Sequence, residues 1–283
     1  MLIAAEIGAN HRGNLDTAKQ MIHIAAEYCG VDIVKFQKRN NRELLTPEEY
    51  DRPHPVQEQS YGITYGEHRE KLEFTIEQHK ELKAECESVN VEYSCSVWDV
   101  TSTKEIISLN PRFIKVPSAC NSNFNILEII CDTFKGEIHL SLGMTTDKEE
   151  KDIVDFIRSK KRLKDLVLYF CVSDYPVAVN NICLKQILKL KEKYESEIKG
   201  FGFSGHHEGY YIDNICIALG VKYIERHFTF NNNWKGTDHM ASLEPDAFKA
   251  MIKIIKDTQR AYRYKDKEIL DCELRQRDKL KRL

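Results

Sequence analysis

The strongest constraint on this chain's fold is a repeated pattern of eight short β-branched or aromatic runs, each ending on a polar residue suited to chemistry. The runs are Leu2–Gly8, Asp32–Gln37, Val91–Val97, Phe113–Pro117, Glu137–Ser141, Leu166–Cys171, Gly200–Ser204 and Lys222–His227. In order they deliver Glu6, Lys35 with Gln37, Ser96 with Asp99, Lys115 with Ser118, Ser141, Ser173, Ser204 with His206, and Glu225 with His227. Most intervals between runs carry apolar residues at helical spacing, the alternation expected of a parallel α/β fold. Eight such units predict an α/β protein built as an eight-stranded (β/α)8 TIM barrel, in which the strand C-termini converge on one mouth. Residues scattered along the sequence then meet in a single pocket. That is an enzyme's layout.

Length and charge narrow the class further. A chain of 283 residues is a normal size for one barrel. A formal net charge of −2 gives no bulk attraction to nucleic acid or to an anionic membrane. No apolar stretch is long enough to span a bilayer, and the first run starts at Met1 without a basic leader, so a cytoplasmic protein is expected. The nine cysteines form no CxxC pair and several sit inside apolar runs, which points to reduced, buried thiols.

Asn14 or Asp16 can cap a helix over Ala18–Tyr28, and Gly30 can stop it. Further helices are expected over Ile76–Glu87, Ser102–Leu109, Phe124–Thr133, Lys148–Lys160, Asn181–Glu195, Tyr210–Leu219 and Pro245–Tyr262. The segment Asn40–Phe74 carries Pro47, Pro53, Pro55 and the run Tyr61–Gly66, and reads as a long loop. Such loops are commonly lids or binding elements. Here Arg42, Arg52, Tyr61, Tyr65 and His68 are side chains able to hydrogen-bond or stack on a ligand. The barrel is expected over residues 1–262, followed by a charged tail or helix over 263–283.

Two constellations carry chemistry. His206 and His227 end adjacent runs, so two imidazoles can share one divalent metal, with Glu6 or Asp238 as oxygen donors; two structural histidines are the alternative. His207 should face elsewhere, and His239 is open. The second constellation is Lys35, Lys115, Ser96, Ser118, Ser141 and Ser204. A buried ammonium is costly unless it meets an anion. Hydroxyls beside it would complete a site for a phosphate or carboxylate. Neither Gly8 nor Gly13 belongs to a glycine-rich nucleotide loop, so a small phosphorylated anion is implied.

Taken in order, the blocks Ala5–His11, Val34–Gln37, Ile114–Ser118, Leu140–Met144, Tyr175-Pro176, Ile224–Thr229 and Gly236–Asp238 resemble the sialic acid (N-acetylneuraminate) synthase family up to about Tyr262. The resemblance implies an eight-stranded barrel that condenses phosphoenolpyruvate with a sugar aldehyde resembling N-acetylmannosamine, giving a 2-keto-3-deoxy acid and phosphate. By the same resemblance, His206 and His227 hold manganese or magnesium. Lys115, Ser118, Ser141 and Ser204 contact phosphate, Lys35 and Ser96 lie near the phosphoenolpyruvate carboxylate, and Glu6, Gln37, Tyr175 and Asp238 lie near the acceptor. Ser173 is counted with the substrate-binding residues, and a homodimer is implied.

Three departures stand against that pattern. Gly205 replaces an aspartate that would support His206, Cys120 stands where an acid is common, and the sequence stops short of the family's C-terminal antifreeze-like domain. Two alternatives follow. One is the same chemistry on a different aldose; the other is a non-catalytic barrel that binds a sugar or regulates a partner.

Overall fold

The computed structural model describes residues 1–282. Its strands are β1 (Leu2–Gly8), β2 (Ile33–Lys38), β3 (Glu92–Val97), β4 (Phe113–Val116), β5 (Glu137–Ser141), β6 (Leu166–Phe170), β7 (Gly200–Gly205) and β8 (Tyr223–His227). Each pairs in parallel with the next and β1 pairs with β8, closing an eight-stranded barrel in chain order. The TIM barrel expected from the sequence is therefore the fold.

Alternation along the strands decides what each residue faces. Ile3, Ala5, Ile7, Val34 and Phe36 point outward into the large core between barrel and helices. Ala4, Ile33, Phe113, Val167, Tyr169 and Tyr223 point inward and fill the lower barrel. One step of two residues toward the mouth replaces this apolar layer with Glu6, Lys35, Lys115, Cys171 and Glu225. Register holds the layer level: Glu6 lies opposite both Lys35 and His227, Gln37 opposite Ser96, Ser96 opposite Lys115, and Ser204 opposite Glu225.

The helices are α1 (Leu15–His23), α2 (Asn41–Leu44), α3 (Pro47–Asp51), α4 (Tyr65–Lys71), α5 (Ile76–Ser88), α6 (Val100–Ser108), α7 (Phe124–Thr133), α8 (Asp147–Ser159), α9 (Gln186–Tyr194), α10 (Ile215–Ala218), α11 (Pro245–Ala261) and α12 (Asp271–Leu280). Asn14 is the cap of α1, accepting from the Thr17 amide at 2.8 Å. A π-helical turn over Ile24–Cys29 continues it to Gly30, whose φ of 78° stops the chain in the left-handed region. None of α12 is buried, so the charged end is an exposed helix.

Three expectations need correction. Asn40–Phe74 is not loop-like throughout but contains α2, α3 and α4. Thr46 with Glu49 and Thr64 with Glu67 close capping boxes, and Pro47 sits in the first turn of α3, where its missing N–H is harmless. The helix expected over Tyr210–Leu219 shrinks to α10. Arg226 donates to the carbonyls of His207 at 2.6 Å and Gly209 at 2.9 Å and pairs with Asp213, holding that stretch as turns. The helix expected from Asn181 starts only at Gln186, after a short 3-10 turn over Val179–Asn181.

Arg226 and Asp213 lie 2.6 Å apart with both side chains fully buried. Removing one member of such a pair strands a charge, so Asp213→Ala should cost about 3–5 kcal/mol. Denaturant unfolding measures this, with Asp213→Asn losing less. A midpoint unchanged by Asp213→Ala would show that the pair does not hold this loop.

Candidate active site

The barrel mouth opens into a cavity of about 230 Å³, at the small end of ligand sites. Every strand end contributes to its wall. Glu6, Lys35, Gln37, Ser96, Lys115, Ser118, Ser141, Ser173, Tyr175, Ser204, His206 and His227 all line it. Of the residues singled out by sequence as a site, Asp238 alone does not; it sits half-buried beyond the rim.

Four buried charges form the centre. Lys35 is ion-paired with Glu6 and lies 3.7 Å from Glu225. Lys115 Nζ lies 2.9 Å from Glu225 Oε2 and donates to Ser204 Oγ at 2.9 Å. Lys35 also donates to Ser96 Oγ at 2.6 Å, and Gln37 donates to Glu6 at 2.9 Å. Lys115 therefore has a partner that sequence did not assign. Glu225 was visible at a strand end but given no role, although the two-residue period from His227 places it on the same inward face.

The two carboxyls are driven apart. Burial pushes Glu6 up and nearby Glu225 adds to this, with Lys35 and His227 opposing. Burial acts on Glu225 too, but Lys115 and Lys35 outweigh it and hold the carboxyl down at about 2. Among the ammonium groups, burial leaves Lys115 below its ordinary value despite Glu225. For Lys35, Glu225 and Glu6 overcome burial and raise it. Glu225 is thus a fixed anion, and Glu6 is the carboxyl more able to carry a proton.

Beneath Lys115 the barrel is aromatic. Its ammonium stands 3.5 Å from the centre of the Tyr169 ring, a cation–π contact. Tyr169 Oη meets His139 Nδ1 at 3.0 Å, and His139 stacks on Phe113 with ring centres 3.9 Å apart. Gly202 makes room, because a Cβ there would lie 2.5 Å from the Tyr169 ring.

Opposite lies a cradle of small polar groups. The Gly143 amide donates to Ser118 Oγ at 3.0 Å, and Ser118 Oγ lies 3.3 Å from Cys171 Sγ. A Cβ on Gly143 would fall 2.2 Å from Ser173 Oγ and 2.7 Å from Ser118 Oγ. Glycine lets both serines pack against this turn, and their hydroxyls line the cavity with Lys115, a donor set expected around a phosphate.

The two histidines face each other with ring centres 5.7 Å apart. His206 donates from Nδ1 to the Val172 carbonyl at 2.8 Å, which frees Nε2. Burial pulls this imidazole down to about 3, so it is neutral, as a metal ligand must be. His227 Nδ1 is buried with no hydrogen-bond partner, an orphaned donor set that suits a divalent ion. Among the described residues no third His, Cys, Asp or Glu converges with them. Neither Glu6 nor Asp238 converges on the pair in this structure, so the remaining positions around an ion held by the two histidines would be open to substrate or water. Tyr175 roofs the pair, with its ring centre 4.3 Å from that of His206 and 6.0 Å from that of His227.

Both local departures have structural answers. Residue 205 points away from the cavity: a Cβ on Gly205 would meet Arg226 Cδ at 2.8 Å. Val172 supports His206 without an aspartate. Cys120 does not line the cavity; its thiol donates to the Trp98 carbonyl at 3.2 Å, and burial pushes it up to about 11. His207 turns outward beside Asp213, and His239 is held by Thr229 at 2.7 Å. Asp99 caps α6 through the Ser102 amide. All nine cysteines are free and seven are buried, leaving Cys183 and Cys272 exposed.

The segment over 40–74 walls the rim without lining the cavity. Tyr61 donates to the Lys235 carbonyl at 2.5 Å, Arg42 stacks on Tyr50, and Arg52 lies over Tyr65. These residues hold the segment together and against the β8 loop.

Comparison with known proteins agrees with this geometry. Residues 21–267 match the NeuB family. The N-acetylneuraminate-9-phosphate synthase of Homo sapiens is 34% identical over 278 residues, 98% of this chain and 76% of that protein. The chain belongs to the NeuB family. It is accordingly an enzyme of a family of phosphoenolpyruvate-dependent condensing synthases. The N,N'-diacetyllegionaminic acid synthase of Campylobacter jejuni is 31% identical, covering 92% of this chain and 77% of its own length. A crystal structure of N-acetylneuraminic acid synthetase from Leptospira borgpetersenii, in complex with citrate, superposes with a TM-score of 0.82 at 25% identity. It covers 99% of this chain and 92% of its own.

Gly143→Ala should fill the cradle and weaken binding of a phosphorylated substrate by about tenfold or more, the loss of a charge-assisted contact. Binding titration alongside a thermal melt measures this. Undiminished binding in a folded variant would place the phosphate elsewhere.

Proposed function

We propose that this NeuB-family chain condenses phosphoenolpyruvate with an open-chain sugar aldehyde resembling N-acetylmannosamine, giving a sialic-acid-like 2-keto-3-deoxy acid and inorganic phosphate. The observation that carries the reading is the juxtaposition of the Lys115–Ser118–Ser204 cradle with the His206–His227 pair in one cavity. Phosphate belongs in the first and a carbonyl oxygen beside the second.

Lys115, Ser118, Ser141 and Ser204 hold the phosphate; Lys35 and Ser96 hold the carboxylate. This double anchoring aims the methylene carbon of phosphoenolpyruvate at the aldehyde. His206 and His227 would hold a divalent ion, which would supply Lewis acidity toward a carbonyl oxygen. Glu6, across the β1–β8 pair from His227, hands a proton to that oxygen as the carbon–carbon bond forms. Positive charge then builds on the carbon bearing phosphate, and the permanent anion of Glu225 stabilises it. Water adds there and returns one proton to Glu6; the new hydroxyl's remaining proton leaves with phosphate as the carbon–oxygen bond breaks, and the keto acid remains. Gln37 and Tyr175 orient the acceptor, while Asp238 at the rim is available to its distal hydroxyls.

Replacing Lys115 by methionine should raise the KM for phosphoenolpyruvate by at least about tenfold while sparing that for the sugar, since a charge-assisted contact contributes about 1.5–3 kcal/mol. Steady-state phosphate release with each substrate varied separates the two. Equal losses for both would indicate disruption of the Glu225 network instead.

The metal assignment predicts that chelation abolishes turnover and that added manganese or magnesium restores it. His227→Ala should lose activity while keeping the wild-type unfolding midpoint. Full activity of stripped wild-type protein would remove the metal from the scheme.

A further inference from the structure

The ladder between β7 and β8 ends at the Gly205–Arg226 pair, so His206 lies one residue past the last strand contact that ties it to the strand of His227. Its own hydrogen bonds run to the opposite neighbour. His206 Nδ1 donates to the Val172 carbonyl at 2.8 Å, and the His206 carbonyl accepts from the Val177 amide at 3.0 Å. Both fix the imidazole relative to the segment after β6, and neither sets its distance from His227. That residue is held from its other side. The Phe228 amide donates to the Glu6 carbonyl at 2.8 Å, and the Leu243 amide donates to the His227 carbonyl at 2.8 Å.

What spans the gap is the side chain of Arg226. It leaves β8 on the outward face, between Glu225 and His227, which both line the cavity. It then crosses β7 at Gly205, where a Cβ would meet its Cδ at 2.8 Å. Beyond that crossing, Nη2 donates to the carbonyls of His207 at 2.6 Å and Gly209 at 2.9 Å, and Nη1 donates to Asp213 at 2.6 Å. His206 is thus bracketed: Arg226 passes over the residue before it and grips the residue after it. Arg226, His207 and Asp213 are fully buried, and none of them lines the cavity. A buried ion pair is a poor source of net stability, because desolvation offsets most of its attraction. A planar guanidinium fork closed on two carbonyls supplies direction instead.

We infer that Arg226 is a positioning residue for the histidine pair: it ties the loop after β7 to the strand of His227 and so sets the separation at which both imidazoles reach one divalent ion. The inference rests on the metal reading above. The rings stand with centres 5.7 Å apart. Metal–imidazole bonds of about 2 Å tolerate little drift between the two ligands. Asp213 neutralises the guanidinium, so the fork can stay buried without pulling on the carboxyls of the cavity. Arg226 therefore acts through the backbone on either side of His206, with no contact to a substrate. Gly205 belongs to the same device, because a side chain there would press on the arginine where it crosses β7.

The test uses the full chain stripped of metal. Manganese is titrated in and the free ion read by electron paramagnetic resonance, while phosphoenolpyruvate binding to the metal-free protein is followed by tryptophan fluorescence. Arg226→Lys keeps a charge beside Asp213 and loses the fork. It should weaken manganese binding by about 10- to 100-fold, the loss typical when the groups that orient a ligand are removed. The dissociation constant of phosphoenolpyruvate should stay within about twofold, because Arg226 touches none of the residues that bind it. Electron spin-echo modulation at saturating manganese should count two imidazole nitrogens on the ion in wild type and one in the variant. If Arg226→Lys does not fold, Gly205→Ala displaces the arginine with every charge in place and carries the same expectation. Manganese affinity unchanged in the folded variant, or manganese and phosphoenolpyruvate weakened by equal factors, would overturn the inference and leave the metal reading standing. A wild-type manganese affinity that His227→Ala does not alter would sink the metal reading, and the inference with it.

Discussion

Everything at the barrel mouth depends on four ionisable side chains held where water is scarce. Lys35, Lys115, Glu6 and Glu225 are each nearly inaccessible, and none would be tolerable alone. With both carboxyls ionised they sum to zero. Their contacts are interleaved, with Glu225 serving both lysines and Glu6 only one. Closing a barrel is what makes this arrangement available, since β1 and β8 meet only when the sheet joins its own edge.

The network also explains how a neutral interior can accept an anion. Charge is stored as pairs and then redistributed. Glu6 can take up a proton without unfolding the site, because burial already favours its neutral form. Glu225 keeps its charge because two ammonium groups face it. A phosphate entering the Gly143 cradle competes with Glu225 for Lys115, while the Tyr169 ring below keeps that ammonium from sinking into the barrel. The floor beneath, His139 with Glu137 and Tyr223, is fully hydrogen-bonded and leaves the lysine one direction to point.

Some of this was legible before any coordinates. Strand position with a period of two puts Lys35, Ser96, Lys115, Ser204 and His227 on inward faces, so the site's membership follows from local pattern and the barrel's geometry. Glu225 follows from the same rule, although strand position alone assigns it no partner. In the fold, Arg226 is the outward partner, buried against Asp213, and Glu225 the inward one. The helices within 40–74 escape the pattern because each spans only one or two turns, too short for an apolar period, although the capping boxes of α3 and α4 are present in the sequence.

The sequence by itself determined the barrel, the order of the strands and the identity of the inward residues, because alternation and α/β spacing are local properties. Only the tertiary structure decided who pairs with whom. That Lys115 meets Glu225 rather than standing alone depends on contacts between residues 110 positions apart. The same holds for His206, which the carbonyl of Val172 orients in place of a side chain at position 205. Pairing energies depend on distance and burial in three dimensions, and neither quantity is written in local sequence.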